Sequence, residues 1–188
     1  MFCGSSPGTD PRYRAAADAV GARLAREGIG IVYGGGHVGL MGALADAALK
    51  AGGEVIGVIP HALVARELAH PGLSELRVVA TMHERKALMN ALADAFLALP
   101  GGIGTLEELF EVWSWAQLGA HSKPCALLDV AGYWQPLLAT VEHMQRQGFI
   151  AAGDRALLLV EQDLDHLLPQ LRAWQPPERP HWIAPAAT

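Results

Sequence analysis

The feature that most constrains the fold is a recurring unit: a short apolar run, a turn often bearing glycine, then a stretch with helical periodicity. Apolar runs of four to five residues fall at 29–33, 55–59, 76–79, 95–99, 125–128 and 156–160. Helical patterns lie among them at 11–27, 40–51, 82–93, 105–118, 132–147 and 164–173. Strands that alternate with helices specify parallel βαβ units, and continuous rather than alternating apolarity marks strands covered on both faces. The expected fold class is therefore α/β, a Rossmann-like, doubly wound and mainly parallel sheet flanked by helices. Asp10 followed by Pro11 suits a helix start, and Gly28 suits its stop. Met1 stands almost on the first glycine loop, which leaves only a stub for a leading strand.

The pattern reads as a single domain over 1–174, with a Pro-rich tail at 175–188 that cannot be regular helix. At 188 residues the chain can bury a sizeable core. No run approaches the roughly 20 apolar residues of a membrane span, so no membrane partner is expected. The start "MFCGSSPGTDPRYR" lacks the basic and apolar regions of a signal peptide. Cys3 and Cys125 are far apart and without metal spacing, which points to reduced thiols and a cytoplasmic location. A net charge of -5 argues against a nucleic-acid partner. It leaves a small anionic ligand open, because a few backbone amides suffice to hold one.

A doubly wound sheet binds ligands beyond the carboxyl ends of its strands. Three glycine loops fall at such ends: "CGSSPG" at 3–8, "YGGGHVGLMG" at 33–42 and "PGGIGT" at 100–105. Gly34-Gly35-Gly36-His37-Val38-Gly39 matches the dinucleotide pattern G-x-G-x-x-G. A nicotinamide site also needs an acid after the next strand, and that strand ends in Pro60-His61. No Walker motif is present. What these loops share is glycines that let backbone N–H groups approach an anion at the positive end of a helix. They also fit ordinary tight turns; two such loops ahead of helices favour a phosphate.

The third loop runs into Thr105-Leu106-Glu107-Glu108, which has the form of a capping box with Thr105 as the cap. Leu106, Leu109, Phe110 and Trp113 make a core-type stripe, while Glu107 and Glu111 share another face. Glu108, placed in the first helical turn, faces either plain capping duty or a ligand beside the loop. Upstream, Met82-His83-Glu84-Arg85-Lys86 carries adjacent cations that suit a solvated helix face or an anionic ligand. His37, His61, His70 and His83 lack metal-ligand spacing and read as solvent or rim groups, so no metal is expected. No Gly-x-Ser-x-Gly elbow is present.

Taken together, these motifs make the chain resemble the cytokinin riboside 5'-monophosphate phosphoribohydrolases, the Lonely Guy family, often mislabelled lysine decarboxylases. The family's P-G-G-x-G-T-x-x-E is matched by Pro100 to Glu108, and its M-H-x-R-K by Met82 to Lys86. C-G-S-S at 3–6, Y-G-G-G-x-x-G-L-M-G at 33–42, W-A-Q-L-G at 115–119 and K-P at 123–124 also fit, and the likeness runs from Met1 to about Leu171. The resemblance implies hydrolysis of the N-glycosidic bond of a nucleoside 5'-monophosphate, AMP or a cytokinin riboside monophosphate, to free base and ribose 5-phosphate. It implies Arg85 and Glu108 as the catalytic pair and no cofactor. It further implies substrate contacts from Gly35, Gly36, Gly39, Glu67, Met82, Arg85, Lys86, Gly101, Gly102, Ile103, Gly104, Thr105, Leu106 and Glu107. A carboxylate suits a ribosyl cation, and a guanidinium, which no working pH deprotonates, suits orientation and charge stabilisation. The resemblance also implies a homodimer, for which the helix at 105–118 with Trp113 and Trp115 is the expected interface. His37 and Ala80 depart from the family pattern. The alternatives are a non-catalytic nucleotide or molybdenum-cofactor carrier of the same fold, against which Arg85 and Glu108 argue, and a dehydrogenase.

Overall fold

A computed structural model describes residues 1–64 and 69–177. Local chemistry sets the first helix, α1 (Pro11–Arg26): the Asp10 side chain accepts from the Arg12 N–H, and Pro11 opens the first turn. At its other end the Gly28 N–H donates to Ala25 O and the Ile29 N–H to Leu24 O, with Gly28 at φ +70°. That is a Schellman stop, which a left-handed glycine makes inexpensive.

The remaining elements alternate as the apolar pattern requires: β1 (Ile31–Tyr33), α2 (Gly39–Lys50), β2 (Val55–Pro60), α3 (His61–Val64), β3 (Glu75–Val79), α4 (Met82–Leu92) and β4 (Phe96–Ala98). They continue with α5 (Ile103–Gln117), β5 (Cys125–Leu128), α6 (Gln135–Arg146), α7 (Ala152–Arg155), β6 (Leu158–Glu161) and α8 (Leu164–Arg172). All strand pairings are parallel, in the orders β1-β2-β3 and β4-β5-β6.

The leading stub joins these two blocks. Phe2 pairs in parallel with Ala98, its N–H donating to Leu97 O while Leu99 N–H donates to Phe2 O. On the other side the Met1 ammonium donates to Val32 O at 2.7 Å. The spatial order is thus β3-β2-β1-stub-β4-β5-β6, and winding reverses between the stub and β4. This is the topological switch point at which doubly wound sheets place their ligands.

Successive strand residues feed opposite faces, which explains the unbroken apolarity. Leu97, Leu99, Ala126 and Leu128 enter a core with α1, α2 and α8. Phe96, Ala98, Cys125 and Leu127 enter another with α4, α5 and α6. Several boundaries differ from the sequence reading, among them β1, which starts at Ile31 rather than at 29, and α5, which starts at Ile103 rather than at 105. The helix expected from 132 starts at Gln135, after a 3-10 turn over Val130–Gly132 held by Asp129, whose carboxylate accepts from Trp134 N–H and the Gln135 amide. The short helices α3 and α7 were not expected, and α7 delays β6 to Leu158.

Candidate active site

The three glycine loops meet at the switch point. The Gly4 N–H donates to Pro100 O, and the Gly4 carbonyl accepts from the Leu40 and Met41 N–H groups. So the first-turn amides of α2 are spent on the loop at 3–8, and Gly39, at φ +61°, lets that loop lie where a Cβ would collide with Ser5. The N-terminus of α5 faces the same crevice, and first-turn helix amides have no acceptor within their helix. A cavity of about 270 Å³ opens there, lined by Ser5, Ser6, Tyr13, Pro100, Gly102 and Tyr133 among others. The Tyr133 hydroxyl donates to Gly101 O at 2.5 Å, and its ring meets Tyr13 edge-on at 5.4 Å. No local pattern marked Tyr133; the Asp129 turn brings it across 32 residues.

The start of α5 corrects the expected capping box. Gly102 is the N-cap, no side chain caps it, and Thr105 stands inside the helix at 4% exposure. Its hydroxyl packs against Gly101, where a Cβ would overlap it. Glu108 therefore lies in the second helical turn, so the helix dipole acts on it less than a first-turn position allows. A box-like cap forms instead at Thr81–Glu84: Glu84 N–H donates to Thr81 Oγ1 at 3.1 Å, and the Glu84 carboxylate accepts at 2.9 Å from the N–H of Ala80, the residue before the cap. That box fixes the start of α4 and with it the two cations.

Arg85 is 7% exposed, which excludes the solvated reading. Its guanidinium lies against Gly34, where a Cβ would collide with Nη2, and reaches Glu108 Oε1 at 3.3 Å. Arg85 Nε is buried with no hydrogen-bond partner among the described residues. Lys86 bridges Glu107 at 2.5 Å and Glu111 at 2.9 Å. Burial alone would lower its ammonium, but the two carboxylates outweigh it and the net shift is upward. Burial pushes the Cys3 thiol up to about 12, with Met1's ammonium opposing and Glu108 adding, which puts Glu108 within electrostatic reach of the stub.

The structure thus gathers Arg85, Lys86, Glu107 and Glu108 across α4 and α5, with Gly34 beside the arginine. Met82 lies over Arg85, its sulfur 3.8 Å from Nη1. Gly101, Gly102, Ile103 and Gly104 form the turn and first residues of α5, and Leu106 packs half-buried against the core. Ile103 is 87% exposed. Gly35 and Gly36 are covered by the segment at 69–70 through a Gly36–Ala69 bridge and the His70 N–H bond to Gly35 O. Glu67 lies outside the described residues. One expectation fails: His70 is no rim group but is buried, with Nε2 3.0 Å from Asp46 Oδ1. On the helix expected at an interface, Trp113, 6% exposed, donates from Nε1 to Asp154 O and packs in its own core, Trp115 is half-buried and Phe110 is exposed.

A Rossmann-type crevice with a glycine turn, a helix N-terminus and a buried Arg–Glu pair defines an anion-binding α/β protein. The chain belongs to the family described as "Possible lysine decarboxylase", whose model matches residues 41–171. It is 49% identical over 174 residues to the cytokinin riboside 5'-monophosphate phosphoribohydrolase of Rhodococcoides fascians, covering 92% of this chain and 88% of that protein. A phosphoribohydrolase of the same name from Arabidopsis thaliana is 47% identical over 176 residues, covering 94% of this chain and 81% of its own length. One from Oryza sativa subsp. japonica is 43% identical over 194 residues, with 98% and 80% covered. Among solved structures, the molybdenum cofactor binding protein of Rippkaea orientalis superposes with a TM-score of 0.68 at 20% identity, covering 91% of this chain and 93% of that one. The carrier protein MCP of Chlamydomonas reinhardtii gives 0.66 at 21% identity, with 88% and 91% covered. At such identities the likeness is one of fold.

The lysines do not fit the pyridoxal-type Schiff base that a decarboxylase label implies, which calls for an uncommitted, low-pKa amine in a pocket. Lys86 is committed to two carboxylates, Lys123 donates to Asn90 O, and Lys50 is exposed in the last turn of α2.

Proposed function

We propose that this protein hydrolyses the N-glycosidic bond of nucleoside 5'-monophosphates, releasing the free base and ribose 5-phosphate. The observation that carries the reading is the Arg85–Glu108 pair: nearly buried, 3.3 Å apart, beside the N-terminus of α5, with Arg85 Nε unpartnered. The high identity to phosphoribohydrolases supports it.

In this mechanism the 5'-phosphate rests on the amides of Gly102 to Gly104 and the positive end of α5. C1' then faces Glu108. As the C1'–N bond breaks, its electron pair leaves with the base, which takes up a proton, and positive charge develops on the ribosyl ring. The Glu108 carboxylate stabilises that cation and orients a water, which adds to C1' and gives up a proton. Arg85 holds Glu108 in place and offers its remaining donors to the substrate. Two copies pair through exposed apolar side chains, Leu76 and Val78 of β3, Met82 of α4 and Phe110 of α5. Light scattering after gel filtration should give twice the chain mass; a monomer at micromolar concentration contradicts the dimer.

Incubation with AMP, isopentenyladenosine monophosphate, CMP and the matching nucleosides, with free base separated by chromatography, tests the activity. Base and ribose 5-phosphate should appear in equal amounts from at least one monophosphate, and only slowly from the nucleosides. A protein that binds these nucleotides yet cleaves none is a carrier.

A further inference from the structure

Behind Glu108 lies a small, narrow space that the proposed chemistry does not use. It is bounded by Phe2, Met89, Phe96 and Val112 and by four polar side chains, Lys86, Asn90, Glu108 and Glu111, and it leaves about 10 Å³ for the centre of a water molecule. That is room for one water and no larger guest. Two buried oxygens of its lining, Asn90 Oδ1 and Glu111 Oε2, have no donor among the described residues. Buried acceptors in native proteins are almost always satisfied, and leaving one bare is costly.

The chemistry of the lining selects the guest. Two acceptors on one small space call for a species with two N–H or O–H donors, which excludes an anion. The Lys86 ammonium beside them disfavours a cation. Lys86 carries three donors and spends two on Glu107 and Glu111, so a third can serve a neutral guest that also accepts. Water meets all these conditions.

We propose that a single internal water sits between α4 and α5, donating to Asn90 Oδ1 and Glu111 Oε2 and accepting from Lys86 Nζ. The proposal rests on the reading of Glu108 as the catalytic carboxylate. It makes Asn90 and Glu111 positioning residues. Glu108 and Glu111 stand one turn apart on α5, and Arg85 and Lys86 are consecutive on α4. The two helices are therefore cross-braced by alternating charges: Arg85 to Glu108 at 3.3 Å, Lys86 to Glu111 at 2.9 Å. With Lys86 held by Glu107, Glu111 and the water, Lys86 does not compete with Arg85 for Glu108. Loss of the water or of the Glu111 charge frees Lys86 to compete for Glu108, and the carboxylate turns away from C1'. Neither position touches the phosphate cradle, so ground-state binding should be spared.

The test joins a crystal structure with kinetics. The wild-type density should show one ordered water within hydrogen-bonding distance of Asn90 Oδ1, Glu111 Oε2 and Lys86 Nζ. Asn90→Leu, which fills the space, and Glu111→Gln, which keeps the shape but not the charge, should each lower kcat about tenfold, the scale of a sub-ångström misplacement. Each should leave KM within about twofold and the melting temperature unchanged or, for Asn90→Leu, higher. A dry cavity with the Asn90 amide turned to donate to Glu111 overturns the proposal, as do two variants with wild-type kcat. Glu108→Gln, assayed alongside, separates the two ideas: wild-type turnover there removes the role given to Glu108, whereas the water is judged by the density.

Discussion

Gly34→Ala should disarm the site without replacing a charged residue. Gly34 lies at the end of β1, and its φ is not in the left-handed region, so alanine meets no backbone penalty there. The added methyl would overlap Arg85 Nη2, the far end of a flexible side chain. To restore van der Waals contact the guanidinium must retreat by about 1 Å. Such a retreat would disturb the 3.3 Å approach of Arg85 to Glu108, the geometry on which the proposed mechanism relies. A displacement of this size in a catalytic group costs about a hundredfold in rate, or about 2.7 kcal/mol of transition-state stabilisation. Steady-state release of free base from AMP should show kcat/KM falling by about that factor, while circular dichroism and the melting temperature stay near wild type. Wild-type kcat/KM in Gly34→Ala would refute the contact as a determinant of activity.

Other outcomes follow from the same structure. Tyr133→Phe removes the hydroxyl that holds Gly101 O and should cost about 1 kcal/mol in urea unfolding, with KM for the nucleotide raised several-fold; an unchanged KM contradicts its role in shaping the crevice. Cys3 and Cys125, both pushed up to about 12 by burial, should resist a disulfide reagent at pH 8 in the native state and react fully in guanidinium; fast native labelling contradicts their burial. His121 is held below its usual 6.5, first by burial, then by Lys123, against a bond to Val112 O. The unfolded imidazole therefore protonates before the folded one, and stability should fall as pH drops below about 6.5. The slope should be shallower in His121→Gln; equal slopes remove His121 as the cause.

Strand positions were legible because parallel strands bury both faces and so appear as continuous apolar runs; 55–59 and 125–128 match the observed strands within a residue. The helix from Pro11 was legible because Asp10, Pro11 and Gly28 act locally. What depends on distant contacts was not. Thr105-x-x-Glu108 and Thr81-x-x-Glu84 have the same form, so the sequence alone does not say which of them caps a helix. The glycines at 101–102 let the chain turn into α5 two residues earlier, so the cap falls on Gly102 and Thr105 turns inward onto Gly101. Whether Arg85 faced water or Glu108 depended on α4 packing beside β1 and α5, which periodicity does not report. Tyr133 and Asn90 carried no signal of their own, since their partners at Gly101 and in the space behind Glu108 come from other elements. The stub at Met1–Phe2 was legible as a stub, but not as the strand that completes the sheet.

In the proposed mechanism Glu108 performs chemistry rather than merely bracing Arg85. The most direct measurement is single-turnover cleavage of AMP by wild type and Glu108→Gln, with AMP binding measured calorimetrically on both. Glu108→Gln should bind AMP within a few-fold of wild type and release adenine at least about a hundredfold more slowly. A variant that cleaves AMP at a rate near wild type would contradict it.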